Sequence, residues 1–352
     1  MYLAPTISEI NIFDVFCGTG IYDNGKKGSP IVSFESIAAI RNQYGFEKPI
    51  TLVVNDGESK KIEGVREHID ERNQNFCTVQ YYAQPADQMF AQIQQALKTQ
   101  ANRVRNLIFV DPYGYKEIKK STLENLLSNG RTEMILFLPI SPMQRFTTTA
   151  LHSDLKPYEP LKEFVYSFFP GNHPIKEQKV TALEYIEFVK DALKFNQYYS
   201  TSYYIERDES NYYALFFMSP HIYGFEKILE VKWQLDEDSG RGFKQPQAQS
   251  SLFDQQDKNL GKVANYERLE GILTKSLKTP KTNQDLYEIV LKNEFLPKHA
   301  SEVLRSWQSA DSSFRVTDME SNKPAKKGSF YVSWEWCNTA KHKKPKVLFT
   351  LI

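Results

Sequence analysis

The sequence is short of cysteine and has no long hydrophobic run, and both absences exclude classes of protein. Its 352 residues include only three cysteines, Cys17, Cys77 and Cys337, which lie far apart. An odd, scattered set argues against a disulfide framework and against a zinc site, and it fits a reducing compartment. No stretch of about 18 apolar residues is present, so we expect no transmembrane helix. The N-terminus has no basic region followed by an apolar one, so we expect no signal peptide and a cytoplasmic protein.

The sequence also lacks an excess of charge of one sign, but the balance conceals an asymmetry. The chain has 44 Lys and Arg against 43 Asp and Glu. Residues 260–352 contain 16 Lys and Arg and 10 Asp and Glu, a net charge of +6, whereas the remainder has 28 and 33, a net charge of −5. Residues 236–259 are rich in Gln, Ser and Asp, have no apolar period and are typical of a linker. We therefore predict domains over 1–235 and 260–352, joined by this linker.

The first domain alternates short apolar runs with helical apolar spacing. The runs, which are typical of buried strands, begin at Ile10, Ile50, Thr78, Leu107 and Met134. The alternation predicts an α/β fold, a doubly wound parallel sheet with helices on both faces. A helical insertion is predicted over about 150–198, and a β-hairpin follows over 202–218. A parallel sheet that ends in a hairpin resembles the Rossmann-like fold of S-adenosylmethionine (SAM) methyltransferases.

The second domain is predicted to contain two helices followed by two strands. Helical spacing covers 286–291 and continues after Pro297, and strands are predicted at Phe314–Val316 and Phe330–Trp334 around a basic loop, 321–328. This order predicts a winged-helix domain, which can bind nucleic acid or dock on a protein. The candidate nucleic-acid contacts are Lys298, His299, Arg305, Lys323, Lys326 and Lys327.

The segment D-V-F-C-G-T-G, residues 14–20, follows the first predicted strand. Ligands of open α/β sheets bind at such strand ends, and glycine lets the backbone approach a ligand closely. The form D-x-F-x-G-x-G resembles motif I of DNA methyltransferases. The resemblance implies that Phe16, Gly18 and Gly20 line the methionine half of SAM. It also implies that Asp14 binds the amino group of the cofactor.

Acidic residues also follow the second and third predicted strands. Asp56, with Glu58 as the next choice, is predicted to accept the ribose hydroxyls of the cofactor, as in dinucleotide sites. The alternative is a solvated acid in a turn. Asp87 is a candidate to bind the adenine amino group, and its alternative role is that of a helix N-cap.

The fourth strand leads into Asp111-Pro112-Tyr113-Gly114-Tyr115. This resembles the D-P-P-Y motif of methyltransferases that act on exocyclic amines of bases, although Tyr113 replaces the second proline and Gly114 replaces the aromatic residue. The resemblance implies that Asp111 and the Pro112 carbonyl accept hydrogen bonds from the target amine. It also implies that Tyr113 stacks on a flipped base.

Several segments, in the expected order, together resemble the three-Cys-motif partner (TcmP) family. They are D-V-F-C-G-T-G (14–20), G-x-x-G-S-P (25–30), F-V-D-P-Y-G-Y (109–115), Y-G-F-E-K-I (223–228) and L-P-K-H-A-S-E-V-L (296–304). The resemblance implies a Rossmann-type methyltransferase that uses SAM and carries a C-terminal winged helix. It also implies a partner with a three-cysteine motif that is itself similar to radical-SAM enzymes.

Three functions remain open on the sequence alone. An enzyme would transfer a methyl group from SAM to a nucleobase amine or a similar acceptor. A non-catalytic partner would keep a degenerate methyltransferase fold and bind DNA or protein through its second domain. A nuclease would need carboxylates around Mg²⁺, and Asp14, Asp56 and Asp111 lie at the ends of predicted strands. No metal-binding motif is present, so no metal site is predicted.

Overall fold

The fold divides into two compact units, Met1–Pro220 and His221–Ile352. The structure is a computed structural model, and it describes residues 7–195, 197–208, 211–244, 254–310, 313–338, 342 and 344–351. Within these residues, no helix combines the length and the apolar character that crossing a membrane requires. The division after Pro220 comes earlier than the boundary at residue 235 predicted from the sequence, so helix 222–235 belongs to the second unit.

The first unit is built around a parallel sheet. Its strands are β1 (Glu9–Asp14), β2 (Ile50–Asp56), β3 (Thr78–Ala83), β4 (Val104–Val110), β5 (Thr132–Pro139), β6 (Tyr199–Asp208) and β7 (Asn211–Ser219). They follow the order β3-β2-β1-β4-β5-β7-β6. The first five strands pair in parallel, whereas β7 pairs antiparallel with both β5 and β6. The predicted fold class, a doubly wound α/β sheet that ends in a hairpin, is confirmed, although residues 209–210 of the hairpin turn lie outside the described residues.

Helices cover both faces of this sheet. They are α1 (Ser29–Tyr44), α2 (Ser59–Asp70), α3 (Ala86–Thr99), α4 (Lys120–Leu127), α5 (Ile140–His152), α6 (Glu159–Phe168), α7 (Pro174–Glu177) and α8 (Ala182–Ala192). The side chains of β2 alternate between two hydrophobic cores. Leu52 and Val54 pack with α1 and α2 on one face, and Val53 packs with α3 on the other. This alternation follows from the two-residue period of a strand, and it explains why residues 52–54 of β2 are all apolar.

The strand order reverses direction between β1 and β4. From β1 the chain proceeds to β2 and β3 on one side, and from β4 it proceeds to β5 on the other. Asp14, the last residue of β1, lies opposite Phe109 of β4, so Asp111 follows two residues beyond this pair. A crevice opens at the carboxyl ends of strands where the order reverses, and it is the usual ligand site of such sheets.

The second unit contains helices and a small antiparallel sheet. Its elements are α9 (Ile222–Leu235), β8 (Gly242–Lys244), α10 (Asp254–Ser276), β9 (Lys281–Thr282), α11 (Asn283–Lys292), α12 (Pro297–Ala310), β10 (Phe314–Asp318), α13 (Trp334–Cys337) and β11 (Val347–Leu351). The strands β10, β11 and β9 form a three-stranded sheet in that order. Helix α11 begins with a capping box in which the Thr282 hydroxyl and the Asp285 carboxylate each accept a backbone N–H.

Helix α9 belongs to the second unit because its buried side chains are bonded there. The indole Nε1 of Trp233 donates to the Glu294 carbonyl at 2.9 Å, and the hydroxyl of Tyr287 donates to Glu226 at 2.7 Å. The predicted linker 236–259 is also interrupted by structure, since β8 lies within it and residues 254–259 belong to α10. Its residues 245–253 lie outside the described residues.

The predicted strand Phe330–Trp334 is wrong. Trp334 begins the short helix α13, and β10 pairs with β11, so that Val316 lies opposite Phe349. Gly328 and Tyr331 have positive φ angles of 80° and 55°, which an extended strand cannot include. The apolar pattern of residues 330–334 therefore reflects burial of an irregular segment.

Candidate cofactor and acceptor site

A cleft of about 720 Å³ opens at the carboxyl ends of the strands in the first unit. Four segments contribute to its wall: the end of β1, the turn after β2, the start of α3 and the loop after β4. The lining residues that the following argument uses are Phe16, Asn55, Asp56, Glu58, Asp87 and Tyr113. Of the sequence-predicted residues, the cleft lining thus brings together Phe16, Asp56, Asp87 and Tyr113. It does not include Asp14, Gly18, Gly20, Asp111 or Pro112.

Asp14 is a buried carboxyl group without a hydrogen-bond partner. It is 1% exposed, and neither of its carboxylate oxygens forms a hydrogen bond. Burial raises its pKa from 3.8 to about 7, and the nearby charges of Asp111 and Asp56 add to the rise. The Ser29 hydroxyl and the Phe16 amide reduce the rise, although neither reaches hydrogen-bond geometry. A buried polar group of this kind is costly unless a ligand completes it.

The two glycines of the loop after β1 have different surroundings. Gly18 has a φ of +62°, and a Cβ atom there would meet nothing within 4 Å. Gly20 has a φ of +73°, and its Cβ atom would lie 2.8 Å from a methyl group of Val65 and 3.3 Å from Ile31. Packing against α1 and α2 therefore requires glycine at position 20. Only Gly18 of this pair leaves open space beside the backbone.

Asn55 holds three loops of the site together, and the sequence analysis missed it. Its buried Nδ2 donates to the Val15 carbonyl at 3.0 Å and to the Gln84 carbonyl at 3.1 Å. Its Oδ1 accepts the Gln84 amide, and its backbone carbonyl accepts the Cys17 amide at 2.9 Å. One side chain thus fixes the segments that follow β1, β2 and β3. No sequence signal distinguishes this asparagine from an ordinary turn residue.

Asp56 is buried, and both oxygens of its carboxylate already accept hydrogen bonds from other groups of the chain. Oδ2 accepts the Gly18 amide at 3.2 Å and the Tyr113 hydroxyl at 3.0 Å. Oδ1 accepts the Glu58 amide at 3.0 Å and lies 3.5 Å from the Lys61 ammonium. Asp56 therefore lies where the prediction placed a ribose acceptor, but a ribose hydroxyl would have to displace one of these partners.

Lys61 completes this network and was also missed. Its ammonium donates to the Tyr113 hydroxyl at 2.6 Å and pairs with Glu58 at 2.7 Å. The Glu58 carboxylate and the Tyr113 hydroxyl raise the pKa of Lys61. The ammonium also lies 4.5 Å from the centroid of the Tyr113 ring. A lysine on an exposed helix after β2 carries no sequence signal for this contact, because its partner is more than fifty residues away.

Asp111 lies just beyond the end of β4 and has no partner. Among the residues that the structure describes, none forms a hydrogen bond or an ion pair with it. Asp111 is exposed on one side, and burial on the other raises its pKa to about 6. Its charge also raises the pKa of Asp14 on the neighbouring strand. The site therefore contains two adjacent carboxyl groups that titrate close to neutrality.

Tyr113 presents an aromatic face beside these carboxyl groups. The residue is 72% exposed, and its hydroxyl is fixed between Asp56 and Lys61. Pro112, which precedes it, is buried. A ring that is held by its hydroxyl while its face stays open can stack on a planar ligand.

Asp87 lines the cleft from the first turn of α3, a helix whose N-cap is Pro85. The alternative prediction, that Asp87 is the N-cap, is therefore wrong. The residue is exposed, and its Oδ1 accepts the Gln88 amide at 2.9 Å. Its second oxygen is free for a ligand among the described contacts.

The nuclease hypothesis depended on a cluster of carboxylates. Within the described ranges, no group of three or more His, Cys, Asp or Glu side chains is placed to hold a metal ion. Asp14, Asp56 and Asp111 follow three different strands, and Asp56 is bonded to Gly18 and Tyr113. The geometry therefore does not support a nuclease.

The second unit exposes most of the predicted nucleic-acid contacts. Exposed residues are Lys298, Arg305, Lys323, Lys326 and Lys327. His299 is a correction, because it is buried and its Nδ1 accepts the Leu296 amide at 3.2 Å. Burial lowers its pKa to about 4, so the ring is neutral and cannot contact a phosphate at the surface. The Gly328 amide donates to Gln308 at 2.9 Å, which holds the basic loop against the second half of α12.

No protein-family model matches the sequence, and no curated protein matches it. Among solved structures, the bifunctional kinase-methyltransferase WbdD is similar over 60% of this chain, with 13% identity and a TM-score of 0.31. Trm1 from Pyrococcus horikoshii, in complex with S-adenosyl-L-methionine, is similar over 73% of this chain, with 12% identity and a TM-score of 0.31. The chain spans 35% of the length of WbdD and 66% of the length of Trm1. Any argument about function therefore depends on the residues of this chain.

Proposed function

We propose that the first unit binds SAM and transfers its methyl group to an amine of a nucleobase or a similar acceptor. The observation that carries the proposal is the buried Asp14 carboxyl group, which has no partner and lies beside the open glycine loop at the reversal of the strand order. An ammonium group of a ligand would donate a charge-assisted hydrogen bond to this carboxylate, and the amino group of SAM is such a group.

The other residues of the cleft fit the remaining parts of SAM. Phe16 lines the cleft and packs edge-on against Phe90, so it forms an apolar wall. Asp87 also lines the cleft, and it is exposed, so it can accept a hydrogen bond from a ligand amine. Asp56 is the acceptor for ribose hydroxyls once Tyr113 releases it. When bound, SAM supplies an electrophilic methyl group, and these side chains bind and orient it.

Asp111 and Tyr113 would bind the acceptor. A carboxyl group with a pKa of about 6 is mostly ionised at neutral pH, so it can accept a hydrogen bond from an amine and then take its proton. The carbonyl of Pro112 is a second acceptor in the resemblance to D-P-P-Y. The open face of Tyr113 suits a planar base. This combination supports an amine on a flat ring as the acceptor.

Calorimetric titration of the full chain with SAM and S-adenosylhomocysteine tests the cofactor. We expect binding by the wild type and a loss of about 10- to 100-fold in affinity for Asp14→Asn, since a charged hydrogen bond is lost. Asp154→Asn is the matched control, because Asp154 is an exposed acid outside the cleft. Absence of heat with both ligands in the wild type, or equal affinity in Asp14→Asn, would contradict the proposal.

We further propose that the second unit is a winged helix that contacts DNA. The support is the order of α10, β9, α11, α12, β10 and β11, together with the loop contact that brings Lys326 and Lys327 against the helix bearing Arg305. Phosphate contacts release counterions, so affinity should fall steeply between about 50 and 200 mM salt. Mobility shifts on duplex DNA at both concentrations test this, with Arg305→Gln and Lys326→Gln as weakening variants. Binding that is absent, or independent of salt, would contradict it.

The resemblance to the TcmP family supports one further proposal, that the chain works with a three-Cys-motif protein similar to radical-SAM enzymes. Co-purification of the two proteins at equal concentration is the direct test. We expect a complex that survives gel filtration. Separate elution at micromolar concentration would contradict a stable partnership.

A further inference from the structure

The second unit contains a small cavity, of about 280 Å³, among α9, α10 and α12. Aromatic rings and carboxylates dominate its wall. The residues concerned are Trp233, Tyr266, Phe295, His299, Glu237, Asp238 and Glu302. None of the roles proposed above uses this cavity, so its composition needs its own explanation.

The rings around the cavity are fixed in place. The centroid of His299 lies 4.3 Å from that of Trp233, which lies 5.8 Å from that of Phe295. The Trp233 indole N–H is used by the Glu294 carbonyl, and the His299 Nδ1 is used by the Leu296 amide. Because the rings of Trp233, Phe295 and His299 are buried and the Trp233 N–H and the His299 Nδ1 are engaged, they offer the cavity mainly π surface in a rigid arrangement.

The charges at the cavity are mostly negative. Glu237 and Glu302 are exposed at its edge, with Asp238 partly buried beside them, and Lys298 is the one Lys or Arg among the described lining residues. His299 adds no positive charge because burial keeps its ring neutral. Aromatic faces below a negative edge attract organic cations through cation–π contacts and through the carboxylates.

We propose that this cavity binds the cationic side chain of an arginine from a partner protein. Its volume is below the roughly 300–1,000 Å³ of sites for drug-sized ligands, so one side chain fits it better than a cofactor. Arginine combines a planar cation that stacks on rings with a fork that pairs with carboxylates. The second unit already contains one cation–π contact between an arginine and a ring of this cavity, since the Arg268 guanidinium lies 4.6 Å from the centroid of Phe295.

The test uses the full chain and a pair of probes that differ in charge alone. N-acetyl-arginine amide is titrated to about 50 mM, which reveals a Kd in the millimolar range, and its neutral isostere N-acetyl-citrulline amide is titrated in parallel. The readout is the indole N–H resonance of Trp233 in an NMR spectrum. We expect a saturable shift with the arginine probe and none with the citrulline probe.

Two variants with opposite charge changes make the result specific. Glu237→Gln with Asp238→Asn should weaken binding of the arginine probe by a factor of about 2 to 5, and Lys298→Gln should strengthen it by about 2, as expected for exposed charges. These side chains lie at the edge of the cavity, so thermal melting should stay unchanged. Equal shifts with both probes, no shift with either, or effects of the same sign in the two variants would overturn the proposal.

Discussion

Among the described residues, the two units differ in how completely their buried charges are partnered. In the second unit, Lys232 is 3% exposed and pairs with Glu294 at 2.9 Å, and Glu226 accepts the Tyr287 hydroxyl at 2.7 Å. In the first unit, Asp56 is likewise partnered, but Asp14 is 1% exposed and has no hydrogen-bond partner among the described residues. Partnered groups fix a fold, whereas an unpartnered buried carboxyl costs stability and persists where a ligand uses it. This difference is the reason that the proposed function places the methyl transfer in the first unit.

The largest effect should come from Asp111. We expect Asp111→Asn to reduce methyl transfer by a factor on the order of 10²–10⁴, because a positioned group that accepts a proton is lost. SAM affinity should change by no more than a few fold, since on the proposed function Asp14 and the loop after β1 bind the cofactor. Tritiated-methyl transfer to DNA and RNA, measured beside calorimetry and a melting curve, checks this. Full transfer by a stable variant would show that Asp111 is not the acceptor-binding residue.

A comparable effect on stability should come from the partnered charge of the second unit. Glu294→Gln removes the carboxylate that lies 2.9 Å from the buried Lys232 ammonium, which should lower the free energy of unfolding by about 3 kcal/mol. Urea denaturation measures the change. Combining it with Lys232→Met should recover part of the loss, because the buried ammonium is removed. A single variant as stable as the wild type would remove the contrast between the units.

Asp14 should behave in the opposite way to Glu294. Its folded pKa of about 7 exceeds the ordinary 3.8, so the folded state binds the proton more tightly than the unfolded state. The stability that it contributes is complete below about pH 4 and is lost as the pH rises to about 7. At pH 8, Asp14→Asn should therefore be more stable than the wild type by about 2 kcal/mol, a value that allows for the new buried amide. This advantage should be lost as the pH falls towards 4, where the wild-type carboxyl is protonated and only the cost of the buried amide remains, and melting curves across this range check it.

The smallest effect should come from the hydroxyl that occupies Asp56. Tyr113→Phe removes the competitor at Oδ2 while it keeps the ring. If Asp56 accepts the ribose, SAM affinity should rise by about 2- to 10-fold, the worth of one hydrogen bond. Tyr115→Phe is the neighbouring control, because Tyr115 packs against Phe164 outside the cofactor cleft. Weaker binding in Tyr113→Phe would show that Tyr113 supports the cofactor and does not compete with it.

The sequence predicted the sheet well because each strand is marked by a short apolar run within a few neighbouring residues. Apolar runs such as Ile50 to Val54, separated by helical spacing, indicated a parallel sheet, and the structure confirms it with β1 beside β4. The loop after β1 was also found, since glycines directly after a strand form a local pattern. Information of this kind lies within a few residues of the chain.

The missed features depend on contacts between distant residues. Lys61 reaches Tyr113 through space, and Asn55 joins loops that belong to three strands. His299 looked exposed on a helix face, but α9 supplies Trp233, which packs against it. The predicted strand at 330–334 failed for the same reason, since the true partner of β10 is the distant β11. Periodicity cannot show such partners.

The hydroxyl of Tyr113 on Asp56 has a consequence for the sequence of events in turnover. On the proposed function, the ribose of the cofactor can bind Asp56 only when a ribose hydroxyl replaces the Tyr113 hydroxyl at Oδ2. Arrival of the cofactor would then release the ring, and only a released ring can adjust to an acceptor. Kinetics of this kind are ordered, with the cofactor first and the acceptor second. In the free protein, the hydrogen bond between Tyr113 and Asp56 would therefore lower the affinity for the acceptor until the cofactor has bound.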